Sequence, residues 1–225
     1  MSLRSRHVLL RAASVLCLVL ALASAPACAG GSAAKGDVLV LETRVGEIAI
    51  QLFPKDAPRT VENIRKLASE GFYDGLTFHR IRPGFVIQGG DPNSRNENPF
   101  DDGRGGPPYK VPGEIGRPNV RGAVAMAREP DSVNPKRESN GSQFYIALRD
   151  LPQLDGAYTV FGQVLSGWDT IDSLVALTKV EGIARVVDDY NPGQLAGIRH
   201  ARLETLSAWK SRTKRSASAT STQPR

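Results

Sequence analysis

The chain has 225 residues, of which 40% are hydrophobic and 23% charged, and its formal net charge is +6. A chain of this length buries most of its unfolded surface without a metal or disulfide, which excludes a miniprotein scaffold. The positive charge is concentrated at the two ends, with three arginines in the first 11 residues and five basic residues after residue 209. The middle is therefore near-neutral, and we expect no nucleic-acid partner.

The first 30 residues have the pattern of an export signal peptide. A basic start precedes an uncharged apolar run from Ala12 to Ala25, and small residues follow it. Cys17 lies inside the apolar run, so a chain cleaved after that run keeps at most Cys28, and we expect no internal disulfide. Ala25-Pro26-Ala27-Cys28 resembles a bacterial lipoprotein box. We expect a protein of the periplasm or cell envelope, with Cys28 as the lipidation candidate and that lipid as its only membrane contact.

The remaining chain is divided by composition into three parts. Residues 31–36 are predicted to be a short linker, residues 37–208 the folded domain, and residues 209–225 a disordered basic tail rich in serine and threonine. From Ser211 onward the tail has no large apolar residue, so burial cannot offset the entropy of ordering it.

Within the domain, strand patterns alternate with turn residues. Residues 38–45 and 47–53 are rich in β-branched residues and predict a β-hairpin. Helices are predicted over about residues 58–70, where Pro58 marks the start, and over 168–177. Further strands are predicted over 76–81, 85–88, 122–127, 143–148, 160–165 and 201–206. Eight short strands with two helices predict a mainly β fold, a closed antiparallel barrel with two capping α-helices.

Motifs for hydrolysis or metal binding are not supported. The mature chain keeps only two histidines, His79 and His200, and it lacks G-x-S-x-G. Residues 91–96 begin like a calcium loop, but Arg95 occupies the third ligand position. We therefore predict no metal site and no cofactor.

Residues 78–91, FHRIRPGFVIQGGD, carry the candidate chemistry. Alternate residues of a strand share a face, so Arg80 would lie with Phe78, and Gln88 with Val86 on the next strand. Two adjacent strands would then present an arginine oriented by an amide inside an apolar patch. On the residues alone, an exposed arginine on a barrel surface remains the alternative.

This stretch resembles the F-H-R-x-x-x-G-F-x-x-Q-G-G-D signature of the cyclophilins, which are peptidyl-prolyl cis-trans isomerases. The resemblance covers roughly residues 37–207 and continues in order through residues 122–127 (GAVAMA), 139–146 (SNGSQFYI), 154–156 (LDG) and 160–164 (VFGQV). It implies an eight-stranded antiparallel barrel closed by two helices, and an activity on proline-containing polypeptides that needs no cofactor.

The resemblance also implies the roles of individual residues. Arg80 would be the catalytic residue, and Gln88 would orient it. The remaining positions would bind substrate: Phe85, Val86, Tyr145 and Leu154 around the proline ring, Gln143 and Ala127 on the flanking peptide, and His79 and Tyr158 as pocket neighbours. Val86, Tyr145 and Tyr158 stand where the family usually has methionine, phenylalanine and histidine, and Arg128 stands where cyclosporin-sensitive members have asparagine.

The sequence thus predicts a monomeric, exported isomerase that assists the folding of secreted or envelope proteins. The alternative is a non-catalytic module, in which the barrel binds proline-containing segments or a partner through the long loop 91–121. The presence of Arg80, Phe85 and Gln88 favours the enzyme.

Overall fold

The computed structural model describes residues 36–96, 98–178 and 191–220. One antiparallel sheet of eight strands contains most of the regular structure, in the order β3-β4-β6-β5-β7-β2-β1-β8. The strands are β1 Val38–Thr43, β2 Gly46–Leu52, β3 Arg80–Arg82, β4 Val86–Gly89, β5 Ala123–Met126, β6 Phe144–Ala147, β7 Val160–Ser166 and β8 Ile198–Glu204. The helices are α1 Pro58–Ser69, α2 Trp168–Ala176 and α3 Leu206–Thr220. The predicted signal segment lies outside the described residues.

The mainly β class and the eight antiparallel strands agree with the prediction, but the closed barrel is wrong. Within the described residues, the edge strands β3 and β8 do not pair, and the sheet is a curled half-barrel. Thr77 and Gly197 form only an isolated bridge across the gap, flanked by a hydrogen bond from the Ile198 amide to the Leu76 carbonyl at 2.7 Å. Gly75 has a φ of +78°, and the chain that follows it adopts strand structure only from Arg80. The residues that lie opposite β8 are therefore irregular and form no continuous ladder with it.

Alternation along the strands sorts buried side chains onto the two faces of the sheet. The larger cluster fills the concave side and takes residues from all eight strands and from α1 and α2. A smaller cluster lies on the opposite face, across β4, β6, β5 and β7. Its fully buried members are Val86, Ala123, Ala125, Tyr145, Ala147, Leu151 and Val160. The smaller cluster forms the base of the candidate site.

The segment 209–225, whose composition predicts a disordered tail, is helical over most of its length in the structure. Helix α3 continues through it, and only its last five residues lie outside the described part. Trp209 packs against the face of β1 and β2 that points away from the main core. Arg212 forms ion pairs with Glu47 at 2.9 Å and with Glu204 at 3.1 Å. These contacts with distant residues order a segment that its own composition leaves unstructured.

Among the helices that the structure describes, none combines the length and apolar character needed to cross a bilayer.

Candidate active site

A row of aligned residues crosses the outer face of the sheet. The register pairs Arg80 with Gln88 between β3 and β4, Gln88 with Tyr145 between β4 and β6, and Tyr145 with Ala125 between β6 and β5. Directly opposed residues on neighbouring strands project to the same side. The pairing of strands therefore brings Arg80, Gln88 and Tyr145 side by side, although up to 65 positions of sequence separate them.

Hydrogen bonds join the polar members of this row. Arg80 Nη1 donates to Gln88 Oε1 at 3.2 Å, and Gln88 Nε2 donates to Gln143 Oε1 at 2.9 Å. Arg80 and Gln88 are half-buried, whereas Gln143 is fully buried. The structure thus brings together the three polar residues expected at the site, with a guanidinium held by an amide.

Phe78 does not share the face of Arg80, contrary to expectation. Its ring lies in the concave core, 6.2 Å from the ring of Phe144 at an interplanar angle of 88°. The alternation rule fails here because residues 78 and 79 precede β3 and are not in a strand. Only from Arg80 onward do side chains alternate regularly, with Ile81 directed into the core.

The four side chains expected around a proline ring, together with the expected pocket neighbour Tyr158, lie in one cluster beside Arg80 and Gln88. Val86 and Tyr145 are buried in its base, and Phe85, Leu154 and Tyr158 are half-buried and pack against it. The rings of Tyr145 and Tyr158 meet edge to face, with centroids 5.6 Å apart. Such a surface is apolar, partly open and shaped by aromatic rings, as a seat for a pyrrolidine ring requires.

Tyr145 is anchored beneath this surface by its hydroxyl. The hydroxyl donates to Asn119 Oδ1 at 2.6 Å, and Asn119 Nδ2 in turn donates to Asp155 Oδ1 at 3.1 Å. Burial raises the pKa of the Tyr145 phenol, so the group stays protonated and remains a donor. The roles of Asn119 and Asp155 could not be predicted, because no spacing in the sequence relates either residue to Tyr145.

Arg128 is a third residue whose role the sequence did not reveal. Its guanidinium stacks over the Tyr158 ring, 4.8 Å from the centroid. Nε donates to the Ala157 carbonyl at 2.7 Å, and Nη1 lies 2.6 Å from Asp131 Oδ1. Arg128 is thus fixed at both ends, and it holds Tyr158 on the rim of the apolar surface.

A cavity of about 850 Å³ adjoins the row of polar residues. It is lined by Gln88 of β4 and by residues of the loops that follow β4 and β5, Ala127 and Gln143 among them. Lys110 and Glu129, which also line it, form an ion pair between these two loops. The cavity is large enough for several residues of an extended peptide.

The backbone N–H and carbonyl of Ala127, expected to bind the flanking peptide, both already form hydrogen bonds within the protein. Its backbone N–H donates to the Gln143 carbonyl at 2.9 Å, and its carbonyl accepts from the backbone N–H of Asn140 at 2.9 Å. Because a carbonyl has two lone pairs, one acceptor position on Ala127 remains for a ligand, but the donor is already used.

His79, which the resemblance places beside the pocket, is a buried residue. Its side chain is only 5% exposed, and neither ring nitrogen has a hydrogen-bond partner among the described residues. Burial lowers the pKa of His79 from 6.5 to about 4, against an opposing attraction from Asp91. The imidazole is therefore neutral at physiological pH and packs behind the site.

The buried imidazole should make stability depend on pH. Between pH 6.5 and 4 the unfolded chain binds a proton at this histidine while the folded chain does not, so stability falls as the pH falls through that window. We expect His79 to contribute a loss of about 3 kcal/mol, measurable by urea denaturation at several pH values. His79→Gln should remove this contribution to the slope of unfolding free energy against pH.

An unchanged slope in His79→Gln would show that His79 is not the group responsible.

In the described part of the chain, no three His, Cys, Asp or Glu side chains are grouped so that they could hold a metal ion. The polar groups at the site are instead a guanidinium and two amides. These groups form hydrogen bonds to a peptide and do not need to exchange protons with it.

Comparison with known proteins gives a consistent family assignment. Residues 38–198 match the family model described as cyclophilin-type peptidyl-prolyl cis-trans isomerase. A peptidyl-prolyl cis-trans isomerase of Synechococcus elongatus is 47% identical over 125 residues, which are 55% of this chain and 77% of the relative. One from Helicobacter pylori is 41% identical over 151 residues, 66% of this chain and 83% of the relative.

Solved structures show the same similarity. A cyclophilin-type peptidyl-prolyl cis-trans isomerase of Cryptosporidium parvum superposes with a TM-score of 0.60 at 28% identity, covering 76% of this chain and 98% of the other. A second structure of that protein, determined in the presence of the dipeptide Ala-Pro, gives a TM-score of 0.59 at 28% identity, covering 75% and 99%.

Proposed function

The chain belongs to the cyclophilin family of peptidyl-prolyl cis-trans isomerases, and we propose that Arg80 catalyses isomerisation of X-Pro bonds that are bound on the outer face of the sheet. The single observation that carries this proposal is the guanidinium of Arg80, held by Gln88 at 3.2 Å beside an apolar cluster. The relatives are named for this activity, and the Cryptosporidium protein was crystallised in the presence of Ala-Pro. We propose the same substrate class, X-Pro segments of polypeptides, for this chain.

The reaction requires only that amide resonance be weakened. An X-Pro bond prefers trans by about 1 kcal/mol or less, yet it isomerises in tens of seconds because resonance sets a barrier near 20 kcal/mol. In the twisted transition state the nitrogen lone pair leaves conjugation and becomes a hydrogen-bond acceptor. A donor placed at that nitrogen stabilises the transition state more than either ground state and therefore accelerates the reaction.

Arg80 has the properties of such a donor. Its guanidinium remains charged at any physiological pH and presents its N–H groups in a fixed plane. The bond to Gln88 Oε1 holds that plane on the outer face of the sheet. A charge-assisted donor that is fixed before the reaction begins does not have to reorient when the transition state forms, so no free energy is lost to that reorientation.

The apolar cluster keeps the proline ring still while the acyl side rotates. Tyr145 and Val86 form the base, and Phe85, Leu154 and Tyr158 form the half-buried rim. Rotation about the bond requires one side to be anchored, and the rigid pyrrolidine ring is the side with the least freedom to lose. No nucleophile or proton transfer enters this scheme.

Exchange spectroscopy on a short Ala-Pro peptide tests the function with wild-type protein. Catalytic amounts of the protein should bring cis/trans exchange from tens of seconds to below one second. Binding of the peptide without faster exchange would instead support the alternative, a non-catalytic module on the same fold.

We also propose that the enzyme is exported and acts on proteins of the periplasm or cell envelope. The support is the composition of residues 1–30 and the position of Cys28, both outside the described residues. The intact mass of the native protein tests the proposal. A mature chain lacking at least 25 residues is expected, with the mass of a lipid added if Cys28 is the anchor, and a full-length mass would contradict export.

A further inference from the structure

A buried carboxylate, Asp91, lies next to the polar row and has no part in the mechanism described above. It is fully buried. Oδ1 accepts from the backbone N–H of Asn93 at 2.8 Å. Oδ2 accepts from the backbone N–H of Gly105 at 3.2 Å and faces Gln143 Nε2 at 3.4 Å. Each carboxylate oxygen therefore faces hydrogen-bond donors.

The surroundings of Gln143 determine which way its amide points. Nε2 faces two groups that can only accept, the Asp91 carboxylate and the Gly105 carbonyl, the latter at 2.8 Å. The NH₂ group must lie on that side, because the amide oxygen would meet two acceptors there. Oε1 is consequently directed to the opposite side, where it accepts from Gln88 Nε2 at 2.9 Å.

The orientation of Gln143 fixes that of Gln88 in turn. Because Gln88 must present its NH₂ group to Gln143, its oxygen is directed to Arg80. If both amides were reversed, Gln88 would present an NH₂ group to a guanidinium, which has only donors. The hydrogen bond that holds the catalytic side chain would then be lost.

We propose that Asp91 is a positioning residue, which sets the direction of two consecutive amides and so makes Gln88 an acceptor for Arg80. The inference rests on the proposed function of Arg80 and extends it to a group that does not touch the substrate. It also gives the loop after β4 a role, because the second acceptor for Gln143 is a backbone carbonyl of that loop, at Gly105.

Close packing around Gly105 leaves no room for a side chain beside Asp91, so this glycine is also needed to orient Gln143. A Cβ atom at this position would lie 2.1 Å from Asp91 Oδ1 and 2.9 Å from Asn93 Oδ1. Any other residue would push the loop away from the carboxylate. Both acceptors that orient Gln143 therefore depend on the absence of a side chain at one position.

Asp91→Asn tests the proposal with little change in shape. Either orientation of an asparagine amide places its NH₂ group against a donor, so the variant competes with the arrangement that orients Gln143. We expect kcat on a proline peptide to fall about tenfold, the usual scale for one buried hydrogen bond to a charged group. The readout is kcat and not KM, because a grip of Gln143 on the peptide would affect KM.

A double-mutant cycle separates positioning from a general structural role. If Asp91 acts through Gln88, then Asp91→Asn should change kcat by less than about twofold in a Gln88→Ala background. An equal loss in both backgrounds would overturn the inference, as would wild-type kcat in Asp91→Asn alone.

A second variant covers the case in which Asp91→Asn does not fold. Gly105→Ala should lower kcat to a similar extent, and again only when Gln88 is present. Gly116→Ala, in the same loop but with open space around the added Cβ, should retain wild-type kcat. Full activity in Gly105→Ala would overturn the inference.

These outcomes remain distinct from failure of the proposed function. Inactive wild-type protein, or full activity in Arg80→Ala, would refute the function itself. An active enzyme that depends on Arg80 but not on Asp91 would refute only the positioning role.

Discussion

Arg80→Ala is expected to lower kcat for X-Pro isomerisation by about 100- to 1,000-fold, the range observed when one preorganised donor to a transition state is removed. The substitution should leave the fold intact, because Arg80 is half-buried on the outer face and fills no part of the concave core. Peptide affinity should change little, since under the proposed mechanism the apolar cluster provides most of the ground-state binding. Exchange spectroscopy at saturating peptide, with a thermal melt of the same sample, measures both quantities.

The control for this substitution is Arg199→Ala, which removes an exposed arginine from β8 at the opposite edge of the sheet. It should retain wild-type kcat. Equal losses in the two variants would mean that general charge, and not the position of Arg80, supports the rate.

Tyr145→Ala should have the second-largest effect, on both stability and peptide binding. The side chain is 5% exposed, contacts Tyr158 edge to face, and lies in the base of the cluster proposed to hold the proline ring. Removal of a buried aromatic ring costs about 3 to 5 kcal/mol of unfolding free energy. The cavity left behind can no longer hold the pyrrolidine ring, so we expect KM to rise at least tenfold, on the basis that a lost apolar contact is worth about 1.5 to 3 kcal/mol.

Tyr145→Phe separates the ring from the hydroxyl. It keeps the aromatic base and removes only the hydrogen bond to Asn119 at 2.6 Å, so a stability loss of about 1 kcal/mol and a nearly unchanged KM are expected. Urea denaturation and peptide titration give the two values. If Tyr145→Phe binds peptide as poorly as Tyr145→Ala, the anchoring hydroxyl and not the ring would be responsible.

Much of the fold and site could be predicted because short-range patterns determine them. The β-branched runs predicted β1 and β2, and helical spacing after Pro58 predicted α1, which ends at Ser69, one residue before the expected end. Arg80 and Gln88 could be paired in advance because both lie on strands of one hairpin, where the turn sets the register.

Features that depend on distant contacts could not be predicted. Helix α3 is ordered by Trp209 against β1 and β2 and by the ion pairs of Arg212, and neither contact is visible in the composition of the tail. The half-barrel stays open because the chain before Arg80 is irregular, which overrides the strand-like residues there. Asn119 and Gly105 belong to a long loop whose path no local pattern defines.

Arg80→Lys tests the central claim most directly, because it keeps the positive charge and removes the planar set of donors that Gln88 orients. The measurement is the cis/trans exchange rate of one Ala-Pro peptide at saturation, compared for the wild type and this variant. If a fixed guanidinium weakens the resonance of the X-Pro bond, lysine should be at least tenfold slower, since its ammonium is a freely rotating point charge. A rate equal to that of the wild type would contradict the account.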